Sequence, residues 1–182
     1  MSSRTREAVS VVAETVVVGI VVGAVMGLIW WWVAPTEEWV VVDGGLVPVD
    51  LGFTAWFAAD GWFLVLGAIA GVVLTLATWR RGRRHPVGLV IGVILGAGLL
   101  AVTAWALGGV LGPPDPRSVA ESADQGTRVE GELGLRALGV LCAPALTALT
   151  MLALLIASAR VEQAVFEPPP DPAEARVPQQ SW

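Results

Sequence analysis

One cysteine and one histidine are all that 182 residues contain of the two best metal-binding side chains. The lone Cys142 excludes an intramolecular disulfide, and its apolar neighbours predict a small core residue. His85 stands alone before Pro86, with no Cys, His or carboxylate spacing that would make a metal site. Nucleophile–base arrangements, Walker loops and dinucleotide fingerprints are also missing. The expectation is therefore a chain without catalysis of its own and without a cofactor. Lysine is absent too: all 11 basic residues are Arg. The formal net charge of -5 gives no basis for a nucleic-acid partner.

What the chain has is apolar length. Hydrophobic residues make up 55% of it and the mean hydropathy is +0.70. Four runs stand out: Val9–Val33, Gly61–Trp79, Val87–Val110 and Leu133–Ser158. A hydrocarbon core of about 30 Å needs about 20 apolar residues in a helix, and each run is long enough. This predicts an all-α membrane protein over residues 1–166, a four-transmembrane-helix bundle. The first run is too long for the apolar part of a signal peptide, and it ends in Trp30-Trp31-Trp32 rather than small residues. It is read as a retained span. The remaining residues, 167–182, open with Pro168-Pro169-Pro170 and are expected to form a disordered cytoplasmic tail.

Charge orients the spans. Arg4 and Arg6 precede the first run, Arg80, Arg81, Arg83 and Arg84 fill the link between the second and third, and Arg160 follows the fourth. The other two links hold mostly acids: Glu37, Glu38, Asp43, Asp50 and Asp60 in one, and Asp115, Glu121, Asp124, Glu130 and Glu132 in the other. Short Arg-rich loops stay in the cytoplasm, so both termini are expected inside a cell membrane. Trp30–Trp32, Trp56, Trp62 and Trp105 then fall at outer ends and Trp79 at an inner end, as an interfacial belt. The Arg80–Arg84 cluster is expected to set topology. An anionic-lipid or partner site is the alternative.

Small residues four apart let backbones approach inside a bilayer, where burial alone does not drive helices together. Gly19, Gly23 and Gly27 stripe the first run, Gly67, Gly71 and Thr75 the second, Gly88, Gly92 and Gly96 the third, and Gly139, Ala143 and Thr147 the fourth. Their expected use is packing within one bundle, with an oligomer interface or pore lining as the alternative. Pro144 should bend the fourth span, with Thr147 re-satisfying the backbone.

Outside the spans, Glu38–Val42 and Leu46–Asp50 flank Asp43-Gly44-Gly45 and predict a small extracytoplasmic β-hairpin, with Pro48 keeping the second arm at an edge. Thr127–Glu130 is a candidate third strand. Phe53–Phe57 should lie in the outer interface. Asp115 before Pro116 is an N-cap signal for a short helix running through Glu121.

Glu14 is the one acid placed inside a span, about 25 Å from Trp31 at about 1.5 Å per residue. The first expectation is a carboxylate reaching the inner headgroups. Pairing with an Arg of residues 80–84 comes second, and a proton or ion relay third, because a relay needs a second intramembrane titratable group. Asp60 and Arg136 begin the second and fourth runs. At about 100° per residue each falls on its run's small-residue face. An Asp60–Arg136 ion pair closing the bundle is expected, with Asp60 as a helix cap the compatible alternative.

Several pieces occur in an order that resembles an actinobacterial family of small four-span membrane proteins of unknown function. They are Ala59-Asp60-Gly61-Trp62-Phe63, the Arg-rich turn, Gly112-Pro113, and Gly126-Thr127-Arg128-Val129 before Leu135-Arg136-Ala137-Leu138-Gly139-Val140. The resemblance covers most of the chain except the tail. It implies a cell-membrane location and brings over no catalytic residue. The expected function is a non-enzymatic accessory or scaffold component of the cell envelope, whose partners are the lipid bilayer and a membrane protein or a second copy. A small transport or channel subunit acting as an oligomer is the alternative. A membrane enzyme stands third.

Overall fold

The structure is a computed structural model that describes residues 3–42, 45–49 and 54–166, with side chains placed for 5–42, 45–49 and 57–161. The hairpin turn at Asp43-Gly44, Asp50, Phe53, the tail 167–182 and the side chains of Arg4 and Trp56 lie outside them. Among the described residues five α-helices and three strands follow in chain order: α1 (Ser3–Val33), β1 (Glu38–Val42), β2 (Gly45–Pro48), α2 (Thr54–Gly82), α3 (Pro86–Leu111), α4 (Pro116–Ala120), β3 (Arg128–Glu130) and α5 (Ala143–Phe166). A 3-10 turn, Leu138–Cys142, leads into α5. Four of the helices are long and apolar enough to cross a membrane.

Punctuation at the helix ends is local. Pro86 opens α3 at a position where its missing N–H would have had no intrahelical acceptor. Gly112 closes it by donating its N–H to Gly108 O at 2.9 Å, and Pro113-Pro114 then forbid continuation.

The bundle is built from two parallel pairs, α1 with α3 and α2 with α5. Along the first pair Ala8 meets Gly88, Thr15 meets Gly92, Gly19 meets Gly96, Gly23 meets Leu100 and Gly27 meets Ala104. The two backbones touch: a Cβ placed on Gly23 would lie 2.5 Å from Leu100 O, and one on Gly27 2.7 Å from Ala104 O. In the second pair Gly67 faces the Pro144 ring, and Gly71 faces Pro144 O and Thr147 Oγ1. The Thr75 hydroxyl lies 3.0 Å from Ala148 O on α5 and 3.1 Å from Gly71 O on its own helix. Between the pairs Trp30, Phe63, Leu74, Leu100 and Ala148 form a fully buried core. Large apolar side chains face outward on all four helices, among them Val17, Val21, Val65, Ile69, Ile91, Leu95, Leu146 and Leu154.

Four expectations about the fourth run are corrected. Residues 131–137 are not helical, and α5 begins only at Ala143. Pro144 therefore sits in the first turn of α5, just after the 3-10 turn, where its missing N–H removes no hydrogen bond within α5. It packs instead as a buried side chain against Gly67. Gly139 lies in the 3-10 turn with nothing near its Cβ position, so the packing stripe of this run is Pro144, Thr147 and Ala148. Cys142 is exposed rather than a core residue.

At the end opposite the Arg-rich turn, both long links build a cap. Its sheet has the order β2-β1-β3, antiparallel throughout, with Val42 opposite Gly45 and Glu38 opposite Glu130. The third strand joins as expected and Pro48 stays on the edge strand. Glu38 and Glu130 are like charges directly across the ladder, and Arg128, one diagonal step away, pairs with Glu38 at 3.1 Å. Gly126, with φ +84, makes the turn into β3 in a conformation that favours glycine.

Candidate functional site

The expected charged residues gather at the two ends of the bundle. At the cap end Asp60 is 7% exposed, inside the second turn of α2. Its Oδ1 accepts the Arg136 main-chain N–H at 3.2 Å and its Oδ2 accepts the Ala137 N–H at 2.9 Å. The expected side-chain ion pair is thus corrected. Asp60 meets residue 136 through its backbone, while the Arg136 guanidinium reaches 3.5 Å from Glu37 Oε1. The reason is reach. Arg136 and Ala137 precede the 3-10 turn, where N–H groups have no partner within their own helix. A short buried carboxylate can satisfy both at once, whereas the long guanidinium extends to the cap's surface. Asp60 caps no helix: it lies in the second turn of α2 and binds the main-chain N–H groups of Arg136 and Ala137, just before the 3-10 turn.

Trp30 is the second correction. It is not an interfacial residue but fully buried. Its indole N–H donates to Ala59 O at 3.0 Å, and its ring meets Phe63 edge-on with centroids 5.1 Å apart at 85°. Gly108 leaves the space that the ring fills. The segment Ala59–Phe63 therefore turns its carbonyl and its aromatic ring to Trp30 of α1, and its carboxylate to the backbone of residues 136 and 137. Trp31 and Trp32 remain exposed, as do Trp62 and Trp105.

Between the sheet, α4 and the extended segment 131–136 lies a cleft of about 980 Å³. Trp39, Val41 and Leu46 give it an apolar side. Its charged lining comprises Glu37, Asp115, Glu121 and Glu132 against Arg117 and Arg136. With Glu37 bound to Arg136, the balance left is acidic. Asp115 also fixes α4, accepting the Arg117 N–H at 2.9 Å. The volume lies within the range of ordinary ligand sites.

At the other end Glu14 pairs with Arg81 at 2.5 Å, the second of its three expected roles, and His85 lies 3.3 Å from Glu7. These contacts tie α1 to the turn between α2 and α3. Arg80, Arg83 and Arg84 are exposed on that turn. Arg83 and Arg84 face a second groove that also holds Trp79 and Arg160.

Inside the bundle the buried hydroxyls of Thr15 and Thr78 donate to carbonyls one turn back, both at 2.8 Å. Among the described residues no buried side-chain N or O lacks a hydrogen-bond partner. Among the same residues no three His, Cys, Asp or Glu side chains converge on a point that would hold a metal ion.

Sequence reasoning missed Trp30, Glu37 and Arg160 as members of these sites. A signal for Trp30 was available: it lies three and seven residues beyond Gly27 and Gly23, on the same helical face. No family model, curated protein or solved structure matches this chain.

Proposed function

We propose that the chain is a multi-pass protein of the cell membrane, with both termini cytoplasmic, acting as a non-enzymatic accessory or scaffold component of the envelope. The spans hold the cap on the outer surface, and the acid-rimmed cleft receives a basic segment of a membrane-protein partner. Outward-facing apolar side chains on all four long helices support the membrane location. The crowding of Arg at one end supports the orientation. The resemblance to small four-span actinobacterial membrane proteins favours the same location. The observation that carries the role is the cleft itself, assembled from both long links and left with an acidic excess beside the Trp39–Leu46 surface. The alternative of a transport subunit has its path between copies, since Trp30, Phe63, Leu74 and Leu100 fill the space between the two helix pairs.

Site-specific photocrosslinking in native membranes tests this. Crosslinkers at Leu46 and Ala120, in the cleft, are expected to capture one membrane protein that a crosslinker at Val65, on the apolar face of α2, does not. Reversing Glu121 and Glu132 to Arg should abolish the adduct. The same adduct from Val65, or one indifferent to charge reversal, contradicts the proposal.

A further inference from the structure

The groove at the Arg end has the chemistry of an anion site. It lies between the end of α2, the start of α3 and the last turns of the described part of α5, and encloses about 620 Å³. Three arginines from two separate parts of the chain line it, Arg83 and Arg84 from the turn and Arg160 from α5. None of its described lining residues is acidic. Among the described residues these three Arg have no carboxylate partner, whereas Arg81, on the same turn, is held by Glu14. Three like charges around one hollow repel one another unless an anion lies between them. The floor is apolar, with Leu89 buried and Leu155 and Ile156 half-buried, and Trp79 stands at its edge. The Ser158 hydroxyl is already engaged with Leu155 O at 3.0 Å, so the guanidiniums are the available donors.

We propose that this groove binds the phosphate of an anionic membrane phospholipid. Arg83, Arg84 and Arg160 surround the headgroup, and one acyl chain lies along Leu89, Leu155 and Ile156. The inference rests on the membrane location proposed above, though not on the outer cleft or its partner. A headgroup is favoured over a free phosphate because the cationic rim continues into an apolar floor, which an acyl chain covers and an inorganic ion does not. Basic pockets between spans at the cytoplasmic face recognise anionic headgroups in this way. Guanidinium forks suit phosphate oxygens because two N–H groups can reach one phosphate.

Native mass spectrometry of the full-length chain reads the binding directly. Phosphatidylglycerol should be retained and phosphatidylcholine of the same acyl chains should not. An Arg near an anionic headgroup contributes about fivefold in affinity, so Arg160→Gln alone should lose about that factor. That variant leaves the topology-setting turn intact, and a circular dichroism melt checks its fold. Arg83→Gln with Arg84→Gln and Arg160→Gln together should lose at least about tenfold. Arg80→Gln, on the same turn but outside the groove, should lose little. Equal retention of phosphatidylcholine, or an equal loss in Arg80→Gln, overturns the proposal. Displacement of the lipid by low millimolar inorganic phosphate would assign the site to a free anion and also overturn it. If removing residues 167–182 raises phosphatidylglycerol binding sharply, the occupant is the chain's own acidic tail rather than lipid. Failure of the outer crosslinks leaves every one of these results unchanged.

Discussion

The two ends of the bundle use charge in opposite ways. At the cap end Asp60 is nearly buried, and its partners are main-chain N–H groups that cannot turn away. At the Arg end Arg81 and Glu14 meet by their side-chain tips, 77% and 40% exposed, and Arg83, Arg84 and Arg160 have no carboxylate partner among the described residues. The first arrangement fixes where a chain segment lies. The second leaves charge available to something outside the protein. A charge supports a fold to the degree that it is desolvated and bonded to a group with nowhere else to go. A charge in water holds little, and is better placed for binding.

Between the two ends the α1–α3 backbone contact forms a stiff middle that keeps them independent. Gly23→Leu attacks it most directly, since the side chain would have to enter the Leu100 backbone. It should destabilise by more than about 3 kcal/mol, beyond ordinary overpacking. Val21→Leu, on an exposed face of the same helix, should change the apparent Tm little. Equal melting of the two in detergent would show that the α1–α3 contact does not hold the middle together. Asp60→Asn comes next. It keeps the shape but turns an NH2 group toward a main-chain N–H, at a cost of about 2–3 kcal/mol. Hydrogen exchange should show faster exchange at residues 136 and 137. Trp30→Phe sharpens the contrast within the cap end. It removes the bond to Ala59 O and part of the ring that fills the space at Gly108, for about 1–2 kcal/mol. The smallest effect belongs to the Arg end: Glu14→Gln should cost about 0–1 kcal/mol, falling further in high salt. A Glu14 loss as large as that of Asp60 would erase the distinction between the ends.

Much of this architecture is legible where a local rule operates. Hydropathy finds the apolar runs that became α1, α2 and α3, the valine arms find β1 and β2, and Asp115-Pro116 finds the start of α4. The glycines of α1 and α3 announce a close contact because nothing but a neighbouring backbone needs that space. The fourth run misleads because hydropathy counts apolar residues without asking whether they are helical. Leu133 is buried, yet it lies in extended chain crossing the end of α3 near Gly112. The Asp60 contact is hidden for a related reason. Which N–H groups lack a partner depends on where the helix of run four begins, and that boundary is set by tertiary packing. In the sequence Arg160 reads as one more topology charge, whereas the packing of α5 brings it to the same groove as Arg83 and Arg84.

A buried carboxylate on the backbone of residues 136 and 137 holds the cap end, and the exposed Arg136 side chain is expected to contribute little. A double-mutant cycle of Asp60→Asn and Arg136→Gln, followed by unfolding in detergent, tests it most directly. The account predicts a loss of about 2–3 kcal/mol from Asp60→Asn with either residue at 136, and about 0–1 kcal/mol from Arg136→Gln, so the two losses add. A loss from Asp60→Asn that vanishes once Arg136 is replaced would mean that the guanidinium is the true partner, and would contradict the account.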